Sequence, residues 1–150
     1  MNITKFPLFI ALCVALIYYS AATAGNPALE ILGGGEYAIY SREDVASPLI
    51  TRRVSSGIGY IYYCKSSDAA MLRQKFTHID GESITLNNKS ADEVFRALNY
   101  RLVSGDGGIF YGYSPRGLEF IKSGGAKINL QVAERNGSTV VGWPVILGSY

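Results

Sequence analysis

The chain has 150 residues, 48% of them apolar, with 14 Lys and Arg against 12 Asp and Glu. That length suits one domain with its own core. The near-neutral balance, in which Arg52-Arg53 is the densest basic pair, argues against nucleic-acid binding driven by charge, and one histidine with two cysteines leaves no nitrogen–sulfur cluster for a metal.

Residues 1–24 read as a secretory signal peptide. Lys5 is the only charge before Glu30, "FPLFIALCVALIYY" (6–19) is apolar throughout, and Ala22 and Ala24 stand in an A-x-A arrangement. The apolar run is short for a membrane span, which needs about 20 residues. The alternative is an uncleaved anchor, which would be the chain's one tie to a membrane. Leu12, ahead of Cys13, speaks against a lipoprotein. Cleavage after Ala24 removes Cys13 and leaves Cys64 alone, so no internal disulfide forms and the domain depends on its core. Residues 25–35, with Gly33-Gly34-Gly35, read as a linker, and 36–150 as a single domain.

"GEYAIYS" (35–41) reads as a first strand, and "REDVASPLITRRVSS" (42–56) as a loop with a short strand at 49–53. "GIGYIYYC" (57–64) is apolar on both faces, which predicts a buried central strand. Its G-x-G precedes a strand instead of following one, so it is no phosphate loop. Ser67 is placed to cap a helix over 68–76, with Ala69, Leu72 and Phe76 on its apolar stripe. A turn at Asp80-Gly81 leads to a strand through Ile84 and Leu86. Ser90 and Glu93 form a capping box, and Ala91, Val94, Phe95 and Leu98 follow at helical spacing. "YRLVS" (100–104), "GDGG" and "IFYGY" (109–113) predict a β-hairpin. Ser114-Pro115 predicts a further short helix ending before Gly124-Gly125. The class is therefore α+β: an antiparallel sheet with two to three helices packed on one face.

The last stretch, "KINLQVAERNGSTVVGWPVILGSY" (127–150), contains Asn136-Gly137, a strong two-residue hairpin signal. With those two as the turn, Arg135 faces Ser138, Val132 faces Val141, Leu130 faces Trp143 and Ile128 faces Val145. The three apolar pairs share one face, so the stretch reads mainly as a core hairpin. Pro144 lacks an N–H, which predicts that the last strand lies at an edge or has an outward side only partly paired, and leaves a binding edge as the other reading.

His78, Asp80 and Ser83 contain the residue types of a Ser-His-Asp set, yet triads assemble in space and not in sequence. "HIDGES" reads more simply as strand, turn and strand. Cys64 lies in the most apolar strand, where a thiol is inert. Neither catalytic residues nor cofactors are expected. Nine of the eleven tyrosines lie beyond residue 24. Tyr111 and Tyr113 share one strand face and Arg116 follows at once. Either these residues pack onto the sheet or they form a recognition patch. Asn88-Lys89-Ser90 and Asn136-Gly137-Ser138 match the N-glycosylation pattern.

"YGYSPRG", "IDGESI" and "AKINLQVAERNGSTVVGWPVILGSY" resemble YwmB-like proteins, most clearly over 111–150. These are exported proteins of Gram-positive bacteria with a fold like that of TATA-box-binding protein. The resemblance implies that fold, here in the G-Y-S-P turn (Gly112–Pro115), the N-L-Q-V-A strand (Asn129–Ala133) and the G-x-P-x-I strand (Gly142–Ile146). It brings no catalytic residues. The expectation is an exported, extracytoplasmic cell-envelope protein, a non-enzymatic binding module for a protein, peptide or glycan and not for nucleic acid. Its binding residues are Tyr111, Tyr113 and Arg116. The alternatives are an assembly protein acting through an edge strand and a hydrolase using His78.

Overall fold

The computed structural model describes residues 29–117 and 119–146, so the expected signal segment lies outside the described residues. The strands are β1 (Glu36–Ser41), β2 (Arg52–Ser56), β3 (Gly59–Lys65), β4 (Gly81–Asn87), β5 (Arg101–Asp106), β6 (Ile109–Tyr113), β7 (Ile121–Ser123), β8 (Ala126–Ile128), β9 (Leu130–Arg135) and β10 (Ser138–Trp143). The helices are α1 (Ala69–Arg73) and α2 (Ala91–Leu98). Eight strands form one sheet in the order β2-β3-β1-β4-β10-β9-β6-β5, every neighbouring pair antiparallel, and β7 and β8 pair separately. The protein is α+β, with much sheet and little helix.

Local signals set several of these elements. Asn136 and Gly137 both take positive φ, +52° and +77°, as a two-residue hairpin turn requires. The register follows: Arg135 pairs with Ser138 and Val132 with Val141. The ladder stops at Gln131 and Gly142, so the outer pairs expected of Leu130 and Ile128 do not form within it. Helix α2 begins with the capping box: the Ser90 Oγ accepts from the Glu93 N–H at 3.3 Å, and the Ser90 N–H donates to the Glu93 carboxylate at 2.8 Å. Its stripe of Ala91, Val94 and Phe95 is buried, with Leu98 half-buried beside it.

The core lies between one face of the sheet and the helices. Tyr37, Ile39, Tyr62, Cys64, Ile84, Leu86, Leu130, Val132, Val141 and Trp143 supply the sheet side. Leu72 of α1, Val94 and Phe95 of α2, and Leu29 and Leu32 close it. Those two leucines belong to a 3-10 turn, Leu29–Leu32, inside the stretch expected to be linker. They are 0% and 2% exposed, so the packed domain starts before residue 36. Among the described residues of that stretch, Gly33–Gly35 connects the turn to β1. A Cβ on Gly35 would lie 2.0 Å from the Thr85 carbonyl oxygen, so glycine there allows β1 to approach β4.

Four further expectations change. The last strand is not an edge: β10 lies in the middle of the sheet, between β4 and β9. Pro144 falls one residue past the ladder, so its missing N–H costs no strand bond. The edges are β2 and β5. The helix expected after Ser114 does not form. Ser114–Gly117 is a turn closed by the Gly117 N–H on the Ser114 oxygen at 3.2 Å. Gly124 and Gly125, with φ of +55° and +81°, then turn the β7–β8 hairpin instead of stopping a helix. Strand β3 is paired on both sides, yet it is second from the edge. Helix α1 is shorter than predicted and Ser67 does not cap it, because a 3-10 turn, Ser66–Asp68, precedes it.

Three carboxyls are held below their ordinary value of 4.5. The Ser90 N–H does this for Glu93, and the Thr77 and His78 N–H groups for Glu43. At Glu30 burial works the opposite way, and the Arg73 guanidinium outweighs it. A depressed carboxyl adds stability above its unfolded pKa and loses it as pH falls through the folded value. The urea midpoint is therefore expected to stay level down to about pH 5 and to drop below about pH 4.5. Glu30→Gln flattens that drop.

Candidate ligand-binding surface

Tyr111 and Tyr113 stand two residues apart on β6, so both project from the sheet face opposite the helices. Gly112 between them projects toward the helices, where an added Cβ would lie 2.3 Å from the Phe95 ring. Helix α2 thus rests directly on β6 and fixes which face the tyrosines occupy. Tyr111 lies across from Gln131 of β9 and Ser104 of β5, and Tyr113 across from Arg101 of β5. Both rings are half-buried. Half-burial leaves part of each tyrosine accessible on that face.

Arg116 is exposed in the turn that follows. Asn129, 0% exposed, fixes that turn: its Oδ1 accepts the Ser114 N–H at 3.0 Å and its Nδ2 donates to the Ser114 carbonyl at 2.9 Å. The Asn129 N–H donates to the Gly112 carbonyl at 2.9 Å. A Cβ on Gly117 would lie 2.4 Å from Asn129 Nδ2. "YGYSPRG" and "NLQVA" are therefore two halves of one interlocked turn. In the sequence Asn129 stands only as the first residue of the N-L-Q-V-A strand; an asparagine beside Leu130 at the foot of a core strand is the available sign of such a clamp.

Charge separates the two ends of the sheet. At the β2 end the arginines are satisfied. Arg52 pairs with Glu36 at 3.2 Å and lies 3.5 Å over the Tyr63 ring; Arg53 pairs with Asp44 and lies 4.8 Å over the Tyr60 ring. Arg42 pairs with Asp80 at 3.5 Å. At the β5–β6 end, neither Arg101 nor Arg116 makes an ion pair among the described residues. Tyr111 and Tyr113 likewise have no arginine laid over them.

Residues 144–146 cover the middle of this face. Beyond Trp143 the chain turns back, and the Ile146 N–H donates to Gln131 Oε1 at 3.0 Å above Gly142. Tyr40, Ala38 and Ile61 form a small buried cluster farther toward β2, and the Tyr40 hydroxyl bonds the Ser83 hydroxyl at 3.3 Å. What stays open of the face at the β5 end is the tyrosine strip.

The Ser-His-Asp set is not assembled. His78 Nε2 lies 3.4 Å from Asp80 Oδ1. Ser83, however, is 5% exposed and bonded to Tyr40, while the Ser41 Oγ donates to the His78 carbonyl and not to its ring. Cys64 is 1% exposed; burial and then the nearby Asp68 and Glu82 charges push its thiol up to about 11. Ellman's reagent is expected to leave it unmodified in native protein and to titrate it in urea. The two Asn-x-Ser stretches lie side by side, the Asn88 N–H donating to the Gly137 carbonyl at 3.1 Å, and both line a groove of about 390 Å3. No group of three or more His, Cys, Asp or Glu among the described residues is placed to hold a metal.

Comparison with protein-family models, with curated proteins and with solved structures gives no match to this chain. The geometry of the surface therefore carries the functional reading.

Proposed function

We propose that this chain is an exported, extracytoplasmic cell-envelope protein that works as a binding module and not as an enzyme. Its fold would be of the YwmB-like type, related to TATA-box-binding protein. The antiparallel sheet with helices on one face supports that assignment, as do the motifs whose residues interlock around Asn129. Its ligand surface is the β5–β6 end of the open sheet face, built by Tyr111, Tyr113 and Arg116 with Arg101 added. One observation carries the reading. The arginines at the other end are neutralised and stacked over tyrosines, whereas here two half-exposed tyrosines stand beside two arginines with no ion pair among the described residues. Tyrosine and arginine are the residues that dominate binding energy in recognition surfaces. The ligand class is protein, peptide or glycan.

The test is a screen of residues 25–150 against peptide and glycan arrays, repeated with Tyr113→Ala/Arg116→Ala. Binding should be lost in the double variant with the melting temperature unchanged. If the double variant unfolds, the residues belong to the core and the reading fails. An assembly role through an edge strand is the second reading, favoured by the free outer sides of β2 and β5. A concentration-dependent sedimentation profile would support it over a monomeric binder.

A further inference from the structure

Strand β5 ends the sheet, and five of its six residues are exposed, Val103 being half-buried. Its pairing with β6 shifts between Leu102 and Ser104, a β-bulge. In a regular strand Arg101 and Ser104, three apart, would face opposite ways. The bulge places each directly across from a tyrosine, Arg101 from Tyr113 and Ser104 from Tyr111. It thus brings a cation with no ion pair among the described residues onto the tyrosine face at the edge. The opposite edge, β2, offers no such cation: both its arginines are held by carboxylates of the same chain.

We infer that β5 accepts an extended acidic peptide of a partner protein as a ninth strand, with carboxylates meeting Arg101 and Arg116 and side chains lying over Tyr111 and Tyr113. This rests on the binding-module reading and names its ligand. Strand addition supplies main-chain hydrogen bonds without regard to sequence, and alternate side chains supply the selection. Charge chooses the occupant: two arginines without an ion pair among the described residues favour carboxylates, and Asp106 is the only acid in β5. An antiparallel second copy can bring one Asp106 to each Arg101 but no β5 acid to Arg116, which an acidic peptide supplies.

The experiment is an amide-shift titration of residues 25–150 with a heptapeptide alternating glutamate and threonine. Its controls are the same peptide with lysine for glutamate and two analogues N-methylated on alternate sets of amides. Only one set of amides faces β5, so one analogue should weaken roughly tenfold or more and the other should bind like the parent. The lysine peptide should not bind, and Arg101→Glu should cost roughly tenfold or more with an unchanged melting temperature. Equal binding of both analogues overturns strand addition but leaves a carboxylate-binding surface. Binding that ignores Arg101→Glu, or failure of the glutamate peptide while array ligands still depend on Tyr113, overturns the acidic-strand inference and spares the wider reading. Dimerisation abolished by Arg101→Glu overturns it in favour of a second copy. Loss of array binding altogether is the separate failure of the binding-module reading.

Discussion

Arg73→Met is expected to destabilise the protein by about 3–5 kcal/mol, a large part of the roughly 5–15 kcal/mol that holds a domain folded. Arg73 leaves α1 and reaches three elements at once. Its Nε donates to Glu82 Oε1 at 2.5 Å, its Nη1 to Glu30 Oε1 at 2.9 Å and its Nη2 to the Tyr37 hydroxyl at 2.9 Å. The Glu82 side chain is 0% exposed. Deleting the guanidinium strips a buried carboxylate of its counter-charge, which costs far more than a surface pair is worth. Burial alone would lower the arginine's pKa; the hydrogen bond to Glu30 and the charge of Glu82 outweigh it and raise it. Tyr37 is pushed up chiefly by burial.

Urea denaturation measures the loss. Arg73→Met/Glu82→Gln should recover part of it, because the partner charge goes as well. Glu30→Gln should cost less, since that carboxylate is 23% exposed. An Arg73→Met cost below about 1 kcal/mol, the range of an exposed pair, would show that the network is not what joins the Leu29–Leu32 turn to the sheet.

That network also marks where sequence reading stopped. Ser90 with Glu93 and Asn136 with Gly137 were legible because each pair fixes its own backbone within a few residues. The α2 stripe was legible from helical spacing. Glu30 and Arg73 are 43 residues apart, and nothing local announces their meeting. For the same reason nothing local marks Leu29 and Leu32 as core residues. The central place of β10 rests on its pairing with β4, which joins residues 138–143 to residues 82–87. Pro144 pointed to an edge only while the end of the strand was unknown. Ser114-Pro115 resembled a helix start because a capped turn and a helix N-terminus use the same residues.

The candidate surface was half legible. Tyr111 and Tyr113 share a face by the period of two, and Arg116 follows in sequence. Arg101 was hidden by the bulge: counting back from the Gly107-Gly108 turn without the extra residue sets Leu102, not Arg101, across from Tyr113. One unpaired residue in β5 therefore decides which side chain the ligand face presents.

Asn129→Ala is expected to cost about 2–5 kcal/mol and to weaken ligand binding in the same variant. The side chain satisfies both polar groups of the Ser114 backbone at a site buried on both sides. Each group left without a partner costs about 1–3 kcal/mol. Alanine provides no replacement and opens a gap beside Gly117. Stability and binding are linked here because the Ser114 turn sets the path of the chain from Tyr113 to Arg116. Gly117→Ala should show the same signature more weakly, since its Cβ would press on Asn129 Nδ2 and displace the clamp without removing it. Chemical denaturation gives the first effect, and array binding at a temperature where the variant is still folded gives the second. If Asn129→Ala lowers stability but binds as before, the turn does not position Arg116 for the ligand, and the surface reduces to the two tyrosines with Arg101.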